Sequence, residues 1–436
     1  MIFTLSRQNI LKSIWRILFW QVLYPLGKLG NLSIRYLKYI VARSISKLPV
    51  SSEIFGPPKD IYRSTRDWVE SSSSQEIKAE FKEIFPITRI ELSIPSSIDE
   101  NLHWMFNDYT DGFEFPSTFV VIIPHGRLWS YESKTLNIRT SALINADDII
   151  LEDVSLEFKT LNFLKMHTAL SQIRLPAVHK IDGNVAVLAS AAGNNYFHWM
   201  ADVLPRLHLL ECSGVDLSQI DKFVVNSFQE PFQKETLSDL GIPQDKLIES
   251  STYHHIKADR LFVPSLPAET TLPPVWVCNF LRDKFLHPLI TERANQPKRI
   301  YVSRSDTNSR RITNEASLIE ILLPLGFSIV ALSSLTVQEK ASLFANAEVI
   351  IGPHSSGFTN FAFCQPGTKV IEIFSPLAVA RAFWLIASQL KLDYYYLLGE
   401  GEILPKDNKW GLSLLYVDIT VNINAFIQLL ELAGLA

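Results

Sequence analysis

The fold is decided by the stretch VIIGPHSSG, residues 349–357, in which an apolar strand runs into a turn of small residues that opens a helix. A strand, a tight turn and a helix in this order form a Rossmann-type unit. The backbone N–H groups of such a turn and the dipole of its helix attract anions, so the stretch predicts a diphosphate site. Gly357 would let a phosphate approach the backbone closely, and His354 or Ser355 could hydrogen-bond it. The alternative is an ordinary βα turn without a ligand.

The alternation of strands and helices continues on both sides of this stretch. The predicted strands are residues 299–302, 327–331, 349–351 and 369–374, and the predicted helices are residues 315–323, 336–346, 357–363 and 421–435. Strands that alternate with helices predict a parallel, doubly wound sheet. The last, amphipathic helix closes this domain.

The first half of the chain shows a similar pattern after a β-rich entry. Its predicted strands are residues 119–124, several short runs up to 151, 185–192, 222–225 and 260–263, and its predicted helices are residues 196–210 and 232–240. Prolines at 264, 267, 273 and 274 interrupt both helix and central strand, so they predict a linker. The sequence therefore predicts an α/β protein with an arm over 1–58 and two Rossmann-like domains over 59–270 and 271–436.

Composition excludes several functional classes. With 436 residues and 47% hydrophobic residues, the chain can bury two ordinary cores. A net charge of −4 gives no basic field for nucleic acid, which is therefore not an expected partner. The three cysteines lie far apart without metal-ligand spacing, which predicts a reducing compartment and no structural zinc.

The first fifty residues form a basic, aromatic-rich arm, with eight Lys or Arg residues before the first acidic residue, Glu53. Its apolar stretch is broken by Arg16, Gln21 and Pro25, so a membrane-spanning helix is disfavoured. An amphipathic helix at a membrane interface fits better, with an ordinary packing helix as the alternative. We therefore expect a cytoplasmic protein, peripheral on the inner membrane face through residues 1–50.

Two facing α/β domains direct the carboxyl ends of their strands toward a shared cleft, where ligands bind. Arg304 follows the strand at 299–302, and its planar fork matches phosphate oxygens. Arg310 is a second candidate, although Arg310 and Arg311 could also be a solvated charge pair. Glu372 interrupts an apolar strand, where an unpaired carboxylate is costly to bury. We expect Glu372 to face the cleft and accept from a ribose or sugar hydroxyl, with an arginine partner as the alternative.

The first domain contains the polar motif GNNYFHWMAD, residues 193–202. Asn195, His198 and Asp202 are spaced to share one side of a helix, one turn apart. Such a stripe suits an acceptor site in which a side chain takes the proton of the nucleophile, and Asp202 ranks narrowly above His198 for that role. A solvated helix face is the alternative.

No DxD-type carboxylate pair stands at a predicted strand end. We therefore expect no cofactor and no obligatory metal, because arginine and the helix dipole would neutralise a leaving diphosphate. The predicted reaction is attack by an acceptor hydroxyl on C1 of an α-linked nucleotide sugar, which gives a β-linkage.

Four ordered motifs resemble those of glycosyltransferase family 61, which includes capsular polysaccharide biosynthesis proteins and plant xylan side-chain transferases. They are GNNYFHWMADVLPRL at 193–207, RIYVSRSD at 299–306, RRITNE at 310–315 and LFANAEVIIGPHSSGFTNFAFCQPGTKVIEIFSP at 343–376. The resemblance implies a GT-B fold, inverting chemistry, and a nucleotide-sugar donor held by the C-terminal domain. The site residues that it marks are Asn195, His198, Asp202, Arg304, His354, Gly357 and Glu372.

The resulting hypothesis is an inverting hexosyl- or pentosyltransferase that acts on a glycan, polysaccharide or lipid-linked acceptor. Two alternatives are a GT-B-like nucleotide-sugar epimerase, which would turn over the donor without an acceptor, and a non-catalytic binding protein at a membrane. Intact Arg304, His354 and Glu372 speak against the second of these.

Overall fold

The computed structural model describes residues 37, 39–47, 51–53, 55–71, 78–133, 138–159, 167–190, 192–286, 296–403 and 416–436. Most of the predicted basic arm lies outside these residues. Its described end is helical over 39–45, where Ala42 is buried and Arg43 donates to the Lys59 carbonyl oxygen at 2.5 Å. Of the described helices, none combines the length and apolar character needed to cross a bilayer.

The strands follow the chain in two groups separated by the proline-rich segment. They are β1 Asp60–Tyr62, β2 Glu80–Phe85, β3 Thr88–Ile90, β4 Phe113–Phe115, β5 Thr118–Pro124, β6 Arg127–Ser133, β7 Ile138–Ile144, β8 Ile149–Lys159, β9 His179–Val187, β10 Lys222–Val225, β11 Leu247–Glu249, β12 His255–Pro264, β13 Arg299–Ser303, β14 Ser328–Ala331, β15 Val349–Pro353, β16 Lys369–Phe374 and β17 Asp393–Leu398.

Helices connect most of the strands in the second group and several in the first. They are α1 Thr65–Ser71, α2 Trp104–Asn107, α3 Tyr196–His198, α4 Pro205–Cys212, α5 Pro231–Asp239, α6 Val275–Phe285, α7 Glu315–Leu322, α8 Val337–Asn346, α9 Ala382–Gln389 and α10 Ile423–Leu432. Short 3₁₀ turns occupy Thr168–Ser171, Leu217–Gln219, Gln244–Lys246, Leu332–Ser334 and Ser356–Phe363.

Over the described residues, the first sheet has ten strands and runs in the order β1-β8-β7-β6-β12-β9-β10-β11. β5 also pairs with β12, and β2 pairs with β5. β12, β9, β10 and β11 are parallel, whereas β6, β7 and β8 form an antiparallel meander. The parallel part contains continuous apolar runs such as Val185-Ala186-Val187, all at 0% exposure. Runs of this kind are typical of central parallel strands covered on both faces.

The second sheet is fully parallel and runs in the order β14-β13-β15-β16-β17. Its strand order reverses between β13 and β15. Such a reversal is a topological switch point, outside which open α/β sheets bind their ligands. The predicted parallel sheet is therefore confirmed, and its topology marks the edge at which a ligand would bind.

Helices attached to the two sheets share one apolar core. It contains Trp199 and Leu207 from the first group, Phe280 of α6, Phe344 of α8 and Trp384 of α9. A segment of the first half also crosses to the second sheet, because the backbone of Ser96 bonds to Tyr394 and Tyr396 at 3.0 and 2.9 Å. The two halves of the described chain are thus joined by side chains and by backbone.

The predicted continuous helix over 196–210 is broken in the structure. Trp199–Val203 forms a π-helical turn between α3 and α4, and Leu204 N donates to the Trp199 carbonyl oxygen at 3.0 Å. Pro205 stands at the first turn of α4 and has no N–H, so the helical ladder cannot continue across it. Several further elements were not predicted: β1 to β4, β11, β17, α1, α2, α6 and α9.

Candidate active site

A cavity of about 580 Å³ lies at the switch point of the second sheet. β13 ends at Ser303 and leads into Arg304, while β15 ends at Pro353 and leads into the turn over 354–357. Arg304, Ser355 and Gly357 all line the cavity, as the sequence predicted for residues after these strands. Its volume falls in the range of roughly 300–1,000 Å³ that small-molecule sites occupy.

The small residues of the turn are required by packing. A Cβ atom on Gly352 would lie 2.8 Å from the Val302 carbonyl oxygen, which is too close for any larger residue. A Cβ atom on Gly357 would lie 2.6 Å from Leu332 Cδ1. The lack of a side chain at Gly357 therefore allows the 3₁₀ turn Ser356–Phe363 to approach Leu332, and not only the predicted approach of a phosphate.

The half-buried His354 and the buried Glu372 form a pair behind the turn. Glu372 does not face the cleft as expected: it is 0% exposed, because it lies on the central strand β16. One carboxylate oxygen bonds His354 Nδ1, and the other accepts from the Tyr394 hydroxyl at 2.5 Å. Burial raises the pKa of Tyr394 well above its usual range, and the Glu372 charge adds to this. Glu372 therefore holds the His354 ring and is not exposed to a ligand. Its charge also acts on an arginine, because burial lowers the pKa of Arg310 while Tyr416 and Glu372 oppose this.

The two candidate arginines differ in their surroundings. Arg304 lines the cavity and donates from Nε to the Ser309 carbonyl oxygen at 3.0 Å. Burial lowers the pKa of Arg304 to about 10, and Arg310 lowers it further, while Asp306 and Asp418 oppose this. Arg304 is thus a cation at neutral pH. Arg310 lies 6.0 Å from the Tyr416 ring and is not among the described residues that line the cavity.

The three polar residues of the first motif have different roles: His198 and Asp202 form a hydrogen-bonded pair, and Asn195 caps a helix. His198 Nδ1 lies 2.7 Å from Asp202 Oδ2, and Asp202 is 4% exposed. Asn195 is the N-cap of α3, and its side-chain oxygen accepts from Phe197 N at 2.9 Å. Arg206 follows one turn later, fully buried, where burial lowers its pKa to about 10 and the charge of Asp202 opposes that shift.

The polar motif adjoins the second sheet through aromatic contacts. The rings of Phe197 and His354 both pack on Phe383, at centroid distances of 5.5 and 5.3 Å. The Tyr196 hydroxyl donates to Asn360 Oδ1 at 2.9 Å, and both residues line the cavity. His198 follows Tyr196 by two residues, but neither His198 nor Asp202 is among the described residues that line the cavity.

Residues 196–371 match the family model of Glycosyltransferase 61. The matched span begins at Tyr196 and includes His198, Asp202, Arg304 and His354. A second comparison is with Xylan glycosyltransferase MUCI21 of Arabidopsis thaliana, which is 31% identical over 137 residues. That similarity covers 29% of this chain and 26% of the relative, so the chain spans about a quarter of the length of the relative it matches.

Over residues 196–371 the chain is thus similar to a glycosyltransferase 61 domain. The structure also shows a cavity residue that the sequence analysis missed. Lys340 of α8 lines the cavity, is 8% exposed, and lies with Nζ 5.0 Å from the Tyr196 ring centroid. Burial lowers the pKa of Lys340, while Glu235 and Glu339 oppose this. A signal was present, because Val337, Lys340, Ala341 and Phe344 repeat at i, i+3, i+4 and i+7, which places a lysine in an apolar stripe.

The carboxylates around the cavity accept hydrogen bonds from backbone groups. Glu235 of α5 accepts from Val337 N at 2.7 Å, which caps α8 from the first half of the chain. Asp306 accepts from Ser333 N at 3.2 Å, and Glu230 caps its own helix. Of the described residues, no group of three His, Cys, Asp or Glu side chains is placed to hold a metal ion.

Proposed function

We propose that this chain is an inverting, GT-B-type glycosyltransferase that moves a sugar from a nucleotide-sugar donor to a glycan hydroxyl. The observations that carry the proposal are a cavity lined by Arg304 and Lys340 and a coupled His198–Asp202 pair that begins two residues after Tyr196, which also lines that cavity. The match to the glycosyltransferase 61 model over both halves of this site supports it.

The cavity suits the diphosphate of a donor. Arg304 offers a planar fork and Lys340 a point charge, and a half-buried site strengthens both interactions with phosphate oxygens. The turn over 355–357 adds backbone N–H groups at the end of β15. Arg304 and Lys340 would neutralise the charge that develops on the leaving diphosphate, so the proposed reaction requires no metal.

The proposed transfer is a single displacement. An acceptor hydroxyl oxygen forms a bond to C1 of the donor sugar, the bond from C1 to the diphosphate oxygen breaks, and the nucleoside diphosphate leaves with its electron pair. The hydroxyl proton passes to His198 Nε2, since Nδ1 is bonded to Asp202. Asp202 is buried and orients the ring, so we propose His198 as the base in place of Asp202. An α-linked donor then yields a β-linked product.

The proposed acceptor is a polysaccharide or lipid-linked glycan. Xylan, in the name of the plant relative, belongs to the same chemical class. A membrane-bound acceptor would agree with the basic arm over residues 1–50, whose proposed role is contact with an anionic membrane surface.

Nucleotide binding tests the proposal directly. Titration calorimetry of the full chain with UDP, GDP, CDP and ADP should show one nucleotide that binds with micromolar affinity, and Arg304→Ala should weaken it. The corresponding nucleotide sugars are then incubated with glycan acceptors, and release of nucleoside diphosphate should require acceptor. Conversion of the donor to an epimer without acceptor would favour an epimerase, and absence of nucleotide binding would reject both enzymes.

A further inference from the structure

The first sheet carries a second, smaller cavity of about 160 Å³. It lies where β9, β10 and β11 end, at Ala189, Asn226 and Ser250. The antiparallel meander curls over these strand ends, since Ser130 Oγ of β6 donates to the Ser250 carbonyl oxygen at 3.0 Å. The carboxyl ends of parallel strands are where open α/β sheets bind ligands, so this cavity occupies a second such position.

The chemistry of the cavity suits a neutral, hydroxyl-rich ligand. Among the described residues that line it there is no Lys or Arg, whereas hydroxyl and amide side chains dominate: Ser130, Thr140, Ser141, Ser190, Asn194 and Asn226. The carboxylate that lines it belongs to Glu132, which disfavours anions. The Tyr131 ring adds an apolar surface and stacks on Trp129 at a centroid distance of 5.8 Å.

One lining group has an unmet hydrogen bond. Ser190 is 3% exposed, and its Oγ atom has no hydrogen-bond partner among the described residues. A buried hydroxyl without a partner is destabilising, and a ligand hydroxyl in the cavity would supply the missing hydrogen bond. The Ser190 backbone is fixed by two bonds to the Asn226 side chain, so the hydroxyl is held in place at the cavity.

The polar motif contributes a lining residue to each of the two cavities. Asn194 lines the small cavity, and Tyr196 lines the larger cavity that contains Arg304 and Lys340. Consecutive Cα atoms are about 3.8 Å apart, so the Cα atoms of Asn194 and Tyr196 are separated by at most about 7.6 Å. The proposed base, His198, belongs to the same motif.

We propose that the small cavity is the acceptor subsite and holds one neutral sugar ring of the acceptor glycan. This inference rests on the proposed function. The volume admits a single ring, because sites for larger ligands measure roughly 300–1,000 Å³. Its described lining has one imidazole, His254, beside the Glu132 carboxylate and no Lys or Arg, which favours uncharged hexoses, pentoses and N-acetylhexosamines over uronic acids and sugar phosphates.

Saturation-transfer NMR of the full chain tests the subsite. The probes are the methyl glycosides of xylose, glucose, galactose and N-acetylglucosamine, with methyl glucuronide and glucose 1-phosphate as anionic counterparts. We expect at least one neutral glycoside to bind, both alone and with excess nucleoside diphosphate, and the anions to bind about tenfold more weakly. Failure of every neutral glycoside to bind, or displacement by the nucleotide, would overturn the proposal.

Two variants locate the binding. Ser251→Leu blocks the cavity from an exposed position and should weaken the bound glycoside about tenfold or more, and Ser190→Ala should weaken it a few-fold. Ser218→Leu, an exposed serine outside the cavity, is the matched control. Unchanged affinity in both cavity variants would also reject the subsite. Nucleotide affinity is measured on the same samples and tests the proposed donor site. The acceptor subsite and the donor site can therefore be rejected independently of each other.

Discussion

His198 Nδ1 lies 2.7 Å from Asp202 Oδ2, and the two side chains are 16% and 6% exposed. Asp202 belongs to the π-helical turn Trp199–Val203, whose residues are all buried, whereas His198 ends α3. A buried carboxylate bonded to one imidazole nitrogen fixes the tautomer and orientation of the ring. This geometry supports the proposal that the histidine is the proton acceptor and the aspartate its orienting partner.

Substitution of this pair gives the first prediction. His198→Gln should lower kcat by about 10²–10⁴ at unchanged donor affinity, the loss that follows removal of a positioned base. Asp202→Asn should also lower kcat and should alter its pH profile, because the ring loses its charged partner. Steady-state kinetics at several pH values measure both effects, with His179→Gln at the exposed start of β9 as control. Near-normal turnover in His198→Gln would show that His198 is not the base and would favour Asp202 in that role.

Donor binding should depend on two cations from different elements. Arg304→Ala should weaken nucleoside diphosphate binding by about 1.5–3 kcal/mol, the usual scale for a charge-assisted contact. Lys340→Met keeps the aliphatic stem against Tyr196 and should cost a similar amount through loss of charge. Titration calorimetry measures both, and Lys298→Met, on an exposed lysine, should bind normally. Normal affinity in both cavity variants would place the diphosphate elsewhere.

The second sheet could be predicted closely from sequence. Its strands are apolar runs bounded by turn residues, and β13, β15 and β16 were located to within one or two residues at either end. Strand ends in a parallel sheet meet at one edge, so Arg304, Ser355 and Gly357 converge as predicted. Local patterns were sufficient here because topology, and not side-chain packing, brings these residues together.

Other features depend on long-range contacts that a sequence does not display. Glu372 was expected in the cleft because its partner on β17, Tyr394, stands 22 residues away. β17 itself was missed, and so the buried partner was missed with it. The π-helical turn at Trp199–Val203 had a local signal in Pro205, and Lys340 had one in its apolar stripe. Both signals are visible in the sequence, but the π-helical turn and the cavity position of Lys340 can be inferred from them only when the packing is known.

The buried Glu372 carboxylate should be a stability determinant. Glu372→Ala leaves the Tyr394 hydroxyl and the His354 ring without their acceptor, and each unsatisfied buried group costs about 1–3 kcal/mol. Tyr394→Phe removes one donor and should cost about 1 kcal/mol. Urea denaturation measures both variants. Equal, small losses would show that the carboxylate contributes little beyond one hydrogen bond.

Activity should survive chelation of divalent metals. We propose that Arg304 and Lys340 neutralise the charge of the leaving diphosphate. Removing both cations should therefore lower turnover far more than excess EDTA does. Turnover is measured in EDTA, and then with Mg²⁺ or Mn²⁺ restored. Loss of turnover in EDTA and recovery with Mn²⁺ would show that a metal neutralises the diphosphate instead.

A buried histidine far from the cavity should make stability depend on pH. His255 is 1% exposed, its Nδ1 donates to the Pro176 carbonyl oxygen at 2.9 Å, and its Nε2 faces Arg127 at 3.5 Å. Burial lowers the pKa of His255 to about 4; Arg127 lowers it further, while the Pro176 carbonyl, Glu53 and Asp148 oppose this. The folded protein therefore holds this ring neutral.

The sign of the effect follows from proton uptake. An unfolded histidine has a pKa near 6.5, so between about pH 6.5 and pH 4 the unfolded state binds a proton that the folded state rejects. Stability from His255 is complete above that window and falls as the pH decreases, by about 2 kcal/mol at pH 5. His255→Gln retains a donor for the Pro176 carbonyl and cannot titrate. Urea denaturation at pH 7.5 and pH 5.0 should therefore show a smaller drop in the variant than in the wild type, while the exposed His179→Gln keeps the wild-type drop. Equal drops in all three proteins would mean that His255 is protonated in the folded state.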